Sequence, residues 1–274
     1  MGGHNVVAVC LPHGSYGTNA ATDVASNMRR SFPSLQFCIL VGIGAGVPSS
    51  KNDIRLGDVI VSTPSGRYSG VLPYDMIKSL EAGASQLNGY LCPPPQTLMC
   101  AISELESDPA LSSTPLDNFL CHIQKCKPLK FEYPGTDKDR LFVAEAARSP
   151  NQPKIFYGLI ASANRLMRCA DERDRLGKEH NVLCIELVGA GIMNSFPCLV
   201  IRGISDYADS HKNKIWQNYA SAAAAAYAKL LLSRLRTMDD LEDSPTVEDQ
   251  GLLRKRLRSL STDDYQQSMK RAAS

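Results

Sequence analysis

The residues best placed to do chemistry close a short apolar run, Cys198-Leu199-Val200-Ile201-Arg202-Gly203-Ile204-Ser205-Asp206. A β-branched run that stops abruptly at Gly, Ser and Asp predicts a buried strand of a parallel sheet. Ligands of such sheets bind just beyond the carboxyl ends of the strands. Asp206 is therefore a carboxylate placed to touch a ligand. The same residue types also cap a following segment, and this stretch alone leaves both roles open.

A second cluster is Gly42-Ile43-Gly44-Ala45-Gly46-Val47-Pro48, which follows an apolar strand expected over 37–41. Glycines beyond a strand let backbone N–H groups approach a ligand closely, and they also serve a tight strand exit with no ligand at all. The spacing is not that of a dinucleotide fingerprint, because a polar loop follows instead of a helix, and no Gly-Lys-Ser/Thr completes a phosphate loop. Tyr74, Asp75, Phe156, Tyr157 and His211 are further residues able to line a pocket. Core packing is the simpler reading of the aromatics, and solvation that of His211.

These residues have to be held by strands alternating with helices. Strands are expected at 5–11, 37–41, 59–62, 154–161 and 182–187, in addition to 198–206. Helices are expected at 18–30 (with Ala21, Val24, Ala25 and Met28 on one face), 75–82, 95–105, from Ser162 and Asn164 as caps to about 177, from Gly189, and over 215–236. The Ala-rich middle of the last helix suits close packing on a sheet. Residues 108–140 read as a mixed, Pro-rich region whose Lys125, Lys127 and Lys130 form a solvated surface. The pattern predicts an α/β fold with a mostly parallel or mixed sheet over residues 1–236. An acidic linker over 237–250 and an amphipathic helix over 251–274 follow.

Composition narrows the function classes. The chain has 274 residues, 43% of them hydrophobic, enough for a substantial core. A formal charge of +2 gives no footprint for nucleic acid. Nine cysteines are scattered without a CxxC or zinc-like spacing, so neither a metal site nor a disulfide framework is expected. No run is long and apolar enough to suggest a membrane span or a signal peptide. The expectation is a cytoplasmic protein with no cofactor, no nucleic acid and no membrane among its partners.

In order, Val41-Gly42-Ile43-Gly44-Ala45-Gly46-Val47-Pro48, Leu56-Gly57-Asp58-Val59-Ile60-Val61-Ser62, Gly158-Leu159-Ile160-Ala161-Ser162, Glu186-Leu187-Val188-Gly189-Ala190-Gly191 and Arg202-Gly203-Ile204-Ser205-Asp206 resemble the purine nucleoside phosphorylase and nucleosidase superfamily. Each segment is weak alone; five in this order are specific. The likeness is strongest to a fungal branch in which such a domain precedes NTPase or ankyrin modules in NLR-like proteins.

The resemblance implies a three-layer αβα domain around a central mixed, mostly parallel sheet, and cleavage of the N-glycosidic bond of a purine nucleoside in a homo-oligomer. Asp206 would act as acid toward the leaving base, with Ser205 holding it. Gly44, Ala45 and Gly46 would line the ribose and the nucleophile, and the segment after Ser162, near Leu166 and Met167, would touch the base. Glu186, Leu187 and Val188 occupy the family's Glu-Met-Glu positions. Glu186 reads either as a ribose contact or as a carboxylate bonded near the helix start, while Arg202 reads as structural, pairing with a buried carboxylate or carbonyl.

Three departures bear on activity. Val188 stands where the family has a ribose-binding glutamate and can accept no hydrogen bond. The family's first strand, which carries the nucleosidase acid-base glutamate, has no counterpart, as though the chain started one strand late. Leu40 and Ile43 stand where phosphorylases hold phosphate, which favours hydrolysis over phosphorolysis. Three functions are consistent with this set: a purine nucleosidase-type hydrolase, a repurposed enzyme with an apolar pocket for a non-nucleoside substrate, and a non-catalytic sensor or regulatory module of an NLR-like protein.

Overall fold

The computed structural model of the chain describes residues 3–79, 85–87, 91–139, 152–212 and 214–235. The chain divides into two compact units, Met1–Leu235 and Arg236–Ser274. The linker and helix expected over 237–274 lie outside the described residues.

The first unit is α/β. Its helices are α1 (Thr18–Ser31), α2 (Gln96–Ser107), α3 (Pro109–Cys126), α4 (Pro128–Phe131), α5 (Ala170–His180), α6 (Gly189–Ile192) and α7 (Gln217–Leu232). Its strands are β1 (Cys38–Gly46), β2 (Val59–Ser62), β3 (Val71–Pro73), β4 (Ile77–Ser79), β5 (Ser85–Leu87), β6 (Ile155–Ser162), β7 (Val182–Glu186) and β8 (Cys198–Asp206). Six strands form one sheet in the order β2-β8-β1-β7-β6-β3, and β4 and β5 pair separately. β1 runs parallel to β8, β6 parallel to β2, β3 and β7, whereas β1–β7 and β2–β8 are antiparallel. The additional β2–β6 pairing joins the two sides of the sheet. The sheet is therefore mixed, as expected, but it closes on itself like a barrel where the resemblance implied stacked layers.

All nine residues of β8 are buried. Alternation along a strand explains where its side chains go. Leu199 and Ile201 join Trp216, Tyr219, Tyr227, Leu98, Ile102 and Leu105 in a core with α7 and α2. Val200 and Ile204 join Ile60, Ile160, Cys184, Phe196 and the small face of α1, Ala21 and Ala25. The alanines of α7 allow very close approach: a Cβ on Gly203 would lie 1.9 Å from the carbonyl oxygen of Ala220.

Several expected elements differ. Residues 5–11 form no strand, and Val6 and Val9 are exposed; β-propensity without a pairing neighbour does not make one. The glycines at 42, 44 and 46 lie inside β1, not in a loop beyond it. They are required by packing, because a Cβ on Gly42 would strike the guanidinium of Arg202 and one on Gly44 would meet Cys184 Sγ. The helix expected over 75–82 is instead a single 3-10 turn, Tyr74–Met76, followed by β4. Conversely, the Pro-rich 109–126 is helical. Pro109 occupies the first turn, where a missing N–H costs nothing, and Leu116 and Leu120 are buried at helical spacing. Ser162 and Asn164 do not cap α5, which begins only at Ala170 and ends at Asn181 in the left-handed region.

Candidate functional site

Strand register brings the predicted site residues to one end of the sheet. Pro73, Ser162 and Glu186 are successive neighbours across β3, β6 and β7. Ile185, Ala45 and Asp206 are successive neighbours across β7, β1 and β8, with an irregularity between Gly44 and Ala45 that offsets the end of β8. The terminal residues of β6, β7 and β8 thus lie close together because the strands share a register, despite being far apart in sequence.

Asp206 is buried at the tip of β8. Its Oδ1 accepts the N–H of Ala208 at 3.0 Å. Its Oδ2 accepts the Ser205 hydroxyl at 3.0 Å, and the Lys212 Nζ lies 2.9 Å from the same oxygen. Ala208 takes a positive φ of 53°, which turns the chain so that its N–H meets the carboxylate. The Ser205 hydroxyl also sits 3.4 Å from the Gly44 carbonyl, tying β8 to the glycine strand. Asp206 is used as an acceptor by every one of these donors.

Glu186 at the tip of β7 is bound in a different way. Its carboxylate accepts the backbone N–H of Val188 at 2.8 Å and of Gly189 at 2.9 Å. Arg202 Nη2 closes the other side at 2.5 Å, with both side chains almost fully buried. Glu186 therefore closes the start of α6 and neutralises a buried arginine, so its lone pairs are directed at the protein. Arg202 thus pairs with a buried carboxylate, one of the two kinds of partner, carboxylate or carbonyl, that its sequence context suggests.

The remaining candidates separate. Ser162 is buried and its hydroxyl accepts the N–H of Ala190, which fixes β6 to α6. Gly44, Ala45 and Gly46 line up along β1 beside Ser205 and Asp206. Leu187 and Val188 are half-buried at the β7–α6 junction. Met167 is in the core, while Leu166 is 49% exposed. The loop that carries them is held by Asp75, which accepts the N–H of Asn164 at 2.9 Å, and by Tyr74, whose hydroxyl reaches the Arg165 carbonyl. Burial pushes the Tyr74 phenol up to about 12, so it acts as a neutral donor.

Lys212 and Asp139 are the residues that sequence reasoning missed. Lys212 reads as part of a polar loop, and only the fold-back of that loop before α7 brings it to Asp206. Asp139 accepts the Tyr207 hydroxyl at 2.7 Å, directly after Asp206 in the chain. Burial raises the Asp139 carboxyl, and burial together with Asp139 raises the Tyr207 phenol. His211 pairs with Asp209 and not with the carboxylate of Asp206. Among the described residues, no group of three or more His, Cys, Asp or Glu is arranged to hold a metal ion, and no helix is long and apolar enough to cross a membrane.

The chemistry available at the sheet end is that of a buried carboxylate, an ammonium group paired to it, and flanking glycine backbone. This set can bind a ligand edge that carries both a donor and an acceptor.

No family model matches the chain. It is 43% identical over 248 residues, 85% of its length, to a nucleotide-binding leucine-rich repeat (NLR)-like protein of Hyaloscypha variabilis, of which the match spans 25%. It is 35% identical over 89 residues, 31% of its length, to the 5'-methylthioadenosine/S-adenosylhomocysteine nucleosidase of Mycobacterium bovis, of which the match spans 35%. The chain thus matches about a quarter of one relative and about a third of the other. Among solved structures, the Streptococcus pneumoniae MTA/SAH nucleosidase in complex with 8-aminoadenine superposes with a TM-score of 0.51 at 18% identity, covering 81% of this chain and 78% of that one. The chain shares the fold of this nucleosidase.

Proposed function

We propose that the domain binds a purine nucleoside-like ligand at the carboxyl ends of β6, β7 and β8 and cleaves its N-glycosidic bond with water. In this reaction a hydroxyl adds to the sugar carbon and a proton ends on the departing purine. The observation that carries the reading is Asp206: a buried carboxylate at the tip of a central strand, beside the glycine strand, in a fold shared with a nucleosidase whose complex holds 8-aminoadenine. Ser205 and the Ala208 N–H orient it. In this reading the backbone of Gly44, Ala45 and Gly46 would face the sugar, and the segment of Leu166 and Met167 would touch the base. Homo-oligomeric assembly and a cytoplasmic setting are part of the same proposal.

A second reading has its own support. The Val188 side chain offers no acceptor to a ribose hydroxyl, and Glu186 already accepts from Arg202, Val188 and Gly189. Together with the match to one quarter of an NLR-like protein, this favours a sensor module that binds the ligand without turning it over. A former nucleoside site rebuilt for an apolar, non-nucleoside substrate draws on the same valine.

The experiment is purine release from adenosine, inosine and methylthioadenosine by the purified chain, with Asp206→Ala alongside. Hydrolysis predicts release that falls about 10²–10⁴-fold in the variant, the usual weight of a positioned acid. Binding of adenine without release selects the sensor reading. If neither release nor binding occurs, the purine reading is wrong.

A further inference from the structure

We propose that Cys38 and Cys198 are a redox-active thiol pair, which a hydroperoxide converts to a disulfide. This modification site lies apart from the purine site and does not depend on it. The two cysteines are far apart in sequence, but they are in-register neighbours on the parallel strands β1 and β8. Each is the first residue of its strand. In-register residues of adjacent strands sit about 4.8 Å apart, inside the Cα separation of about 4.4–6.8 Å that a disulfide spans. Both side chains lie on one face of the sheet, because both pack in the cluster of Phe196, Val200 and Ile204. The Cys38 N–H donates to the Pro197 carbonyl at 2.8 Å, which fixes the two strand starts together. Closing the bond needs the two Cβ atoms to draw in to about 3.8 Å. The strand start can give in this way, since β1 follows a surface stretch at 31–34 that is fully exposed. Cys184 belongs to the same cluster but sits at the other end of β1, opposite Gly46, and does not compete.

The pair divides the work. Cys38 is partly exposed and open to a small oxidant, whereas Cys198 is completely buried. The Cys198 thiol beside it lowers the Cys38 thiol from its ordinary value, with burial opposing. The same contact, and then burial, raises Cys198. Cys38 therefore supplies the thiolate, which is the attacking form. Its sulfur takes the near oxygen of the hydroperoxide: an S–O bond forms, the O–O bond breaks, and the far oxygen leaves as water or an alcohol. The product is a sulfenic acid on Cys38. The Cys198 sulfur then forms the S–S bond as the S–O bond breaks, and its proton departs with the hydroxyl as a second water. Two thiols lose two electrons, and one peroxide gains them. A dithiol reverses the change by exchange. The link ties β1 to β8 at the ends opposite Ala45 and Asp206.

The test treats the full chain with about one equivalent of hydrogen peroxide, alkylates the remaining thiols and maps the digest by mass spectrometry. In the wild type the peptides that carry Cys38 and Cys198 should appear joined, about 2 Da lighter than their reduced sum, and a dithiol should separate them. Cys198→Ala should leave Cys38 as a sulfenic acid that dimedone traps. Cys38→Ser should leave Cys198 reduced, because Cys198 is buried. Thermal melting checks that each variant is folded, and the wild-type map decides without them. Oxidation of the exposed cysteines with Cys38 and Cys198 both still reduced overturns the proposal. So does Cys38 joined to any other cysteine. Oxidation of Cys198 in folded Cys38→Ser overturns the role given to Cys38.

Discussion

Arg202 and Glu186 form an ion pair with Nη2 and Oε2 2.5 Å apart and both side chains at or below 5% exposure. Burying two charges gains little by itself, since desolvation offsets their attraction. Breaking the pair is a different matter, because it strands one charge in the core. Here the stranded group would be an arginine whose Nε already has no hydrogen-bond partner. Glu186→Ala should destabilise the domain by about 3–5 kcal/mol, measured by chemical denaturation. A ribose-binding glutamate would give the reverse pattern, with stability unchanged and ligand affinity lost.

The strands around this pair set a second expectation. Gly203 faces the backbone of α7, and the Cβ of an alanine would sit 1.9 Å from the Ala220 oxygen and 2.5 Å from its carbonyl carbon. No side chain can move aside to relieve this. Gly203→Ala should cost about 3 kcal/mol or more, at the upper end of overpacking effects. Gly66 offers the control. Its φ is +57° but nothing lies within 4 Å of the added Cβ, so Gly66→Ala should cost only the left-handed strain, about 1 kcal/mol. Equal melting temperatures for the two variants would show that α7 does not bear on β8 as closely as described.

These two cases show where the sequence was legible. Cys198–Asp206 reads as a buried strand and is one, because a short apolar run rich in β-branched residues, ended by Gly, Ser and Asp, has few other solutions. The helix expected over 95–105 and the Ala-rich middle of α7 are legible for a different reason, apolar residues at helical spacing and high helix propensity. The glycines of β1 mislead. Glycine next to a strand looks like a flexible exit, whereas here it makes room for Arg202 and Cys184 from strands far away in sequence. Such a cause is tertiary and leaves no local trace. The prolines at 109 and 115 conceal α3 in the same way, since only burial of Leu116 and Leu120 against the core reveals it. At the site, Asp206 is legible as a carboxylate at a strand tip, but its partner Lys212 depends on how a loop of six residues folds back.

Val188 gives a gain-of-function expectation. Its backbone N–H is spent on Glu186, but its side chain is half-buried at the β7–α6 junction and packs only at the margin of the core. A longer side chain there can leave the core and extend outward. Val188→Glu should raise the specificity constant for purine release by about 10-fold or more, the weight of one charged hydrogen bond to a sugar hydroxyl, with a small loss in stability. Unchanged turnover in a folded Val188→Glu, in a protein that still binds adenine, would favour the sensor reading.

The last expectation concerns pH. His180 ends α5 with its Nδ1 2.8 Å from the Tyr68 hydroxyl and its ring edge-on to that of Tyr68. Burial lowers its pKa below the ordinary 6.5, with Arg67 and Arg175 adding to the effect and Glu179 opposing it. The sign follows from proton counts. Between the folded value and 6.5 the unfolded chain binds the proton more readily than the folded one, so stability rises with pH across that window. It is complete above about pH 6.5 and is lost as the solution is acidified toward the folded value. His180→Phe keeps the ring contact and removes the titration. The difference between wild-type and variant stability, measured by urea unfolding at steps from about pH 7 to about pH 5, should therefore shrink steadily as pH falls. A difference that stays flat would mean that His180 titrates alike in the folded and unfolded chain, and that Tyr68 does not shelter it.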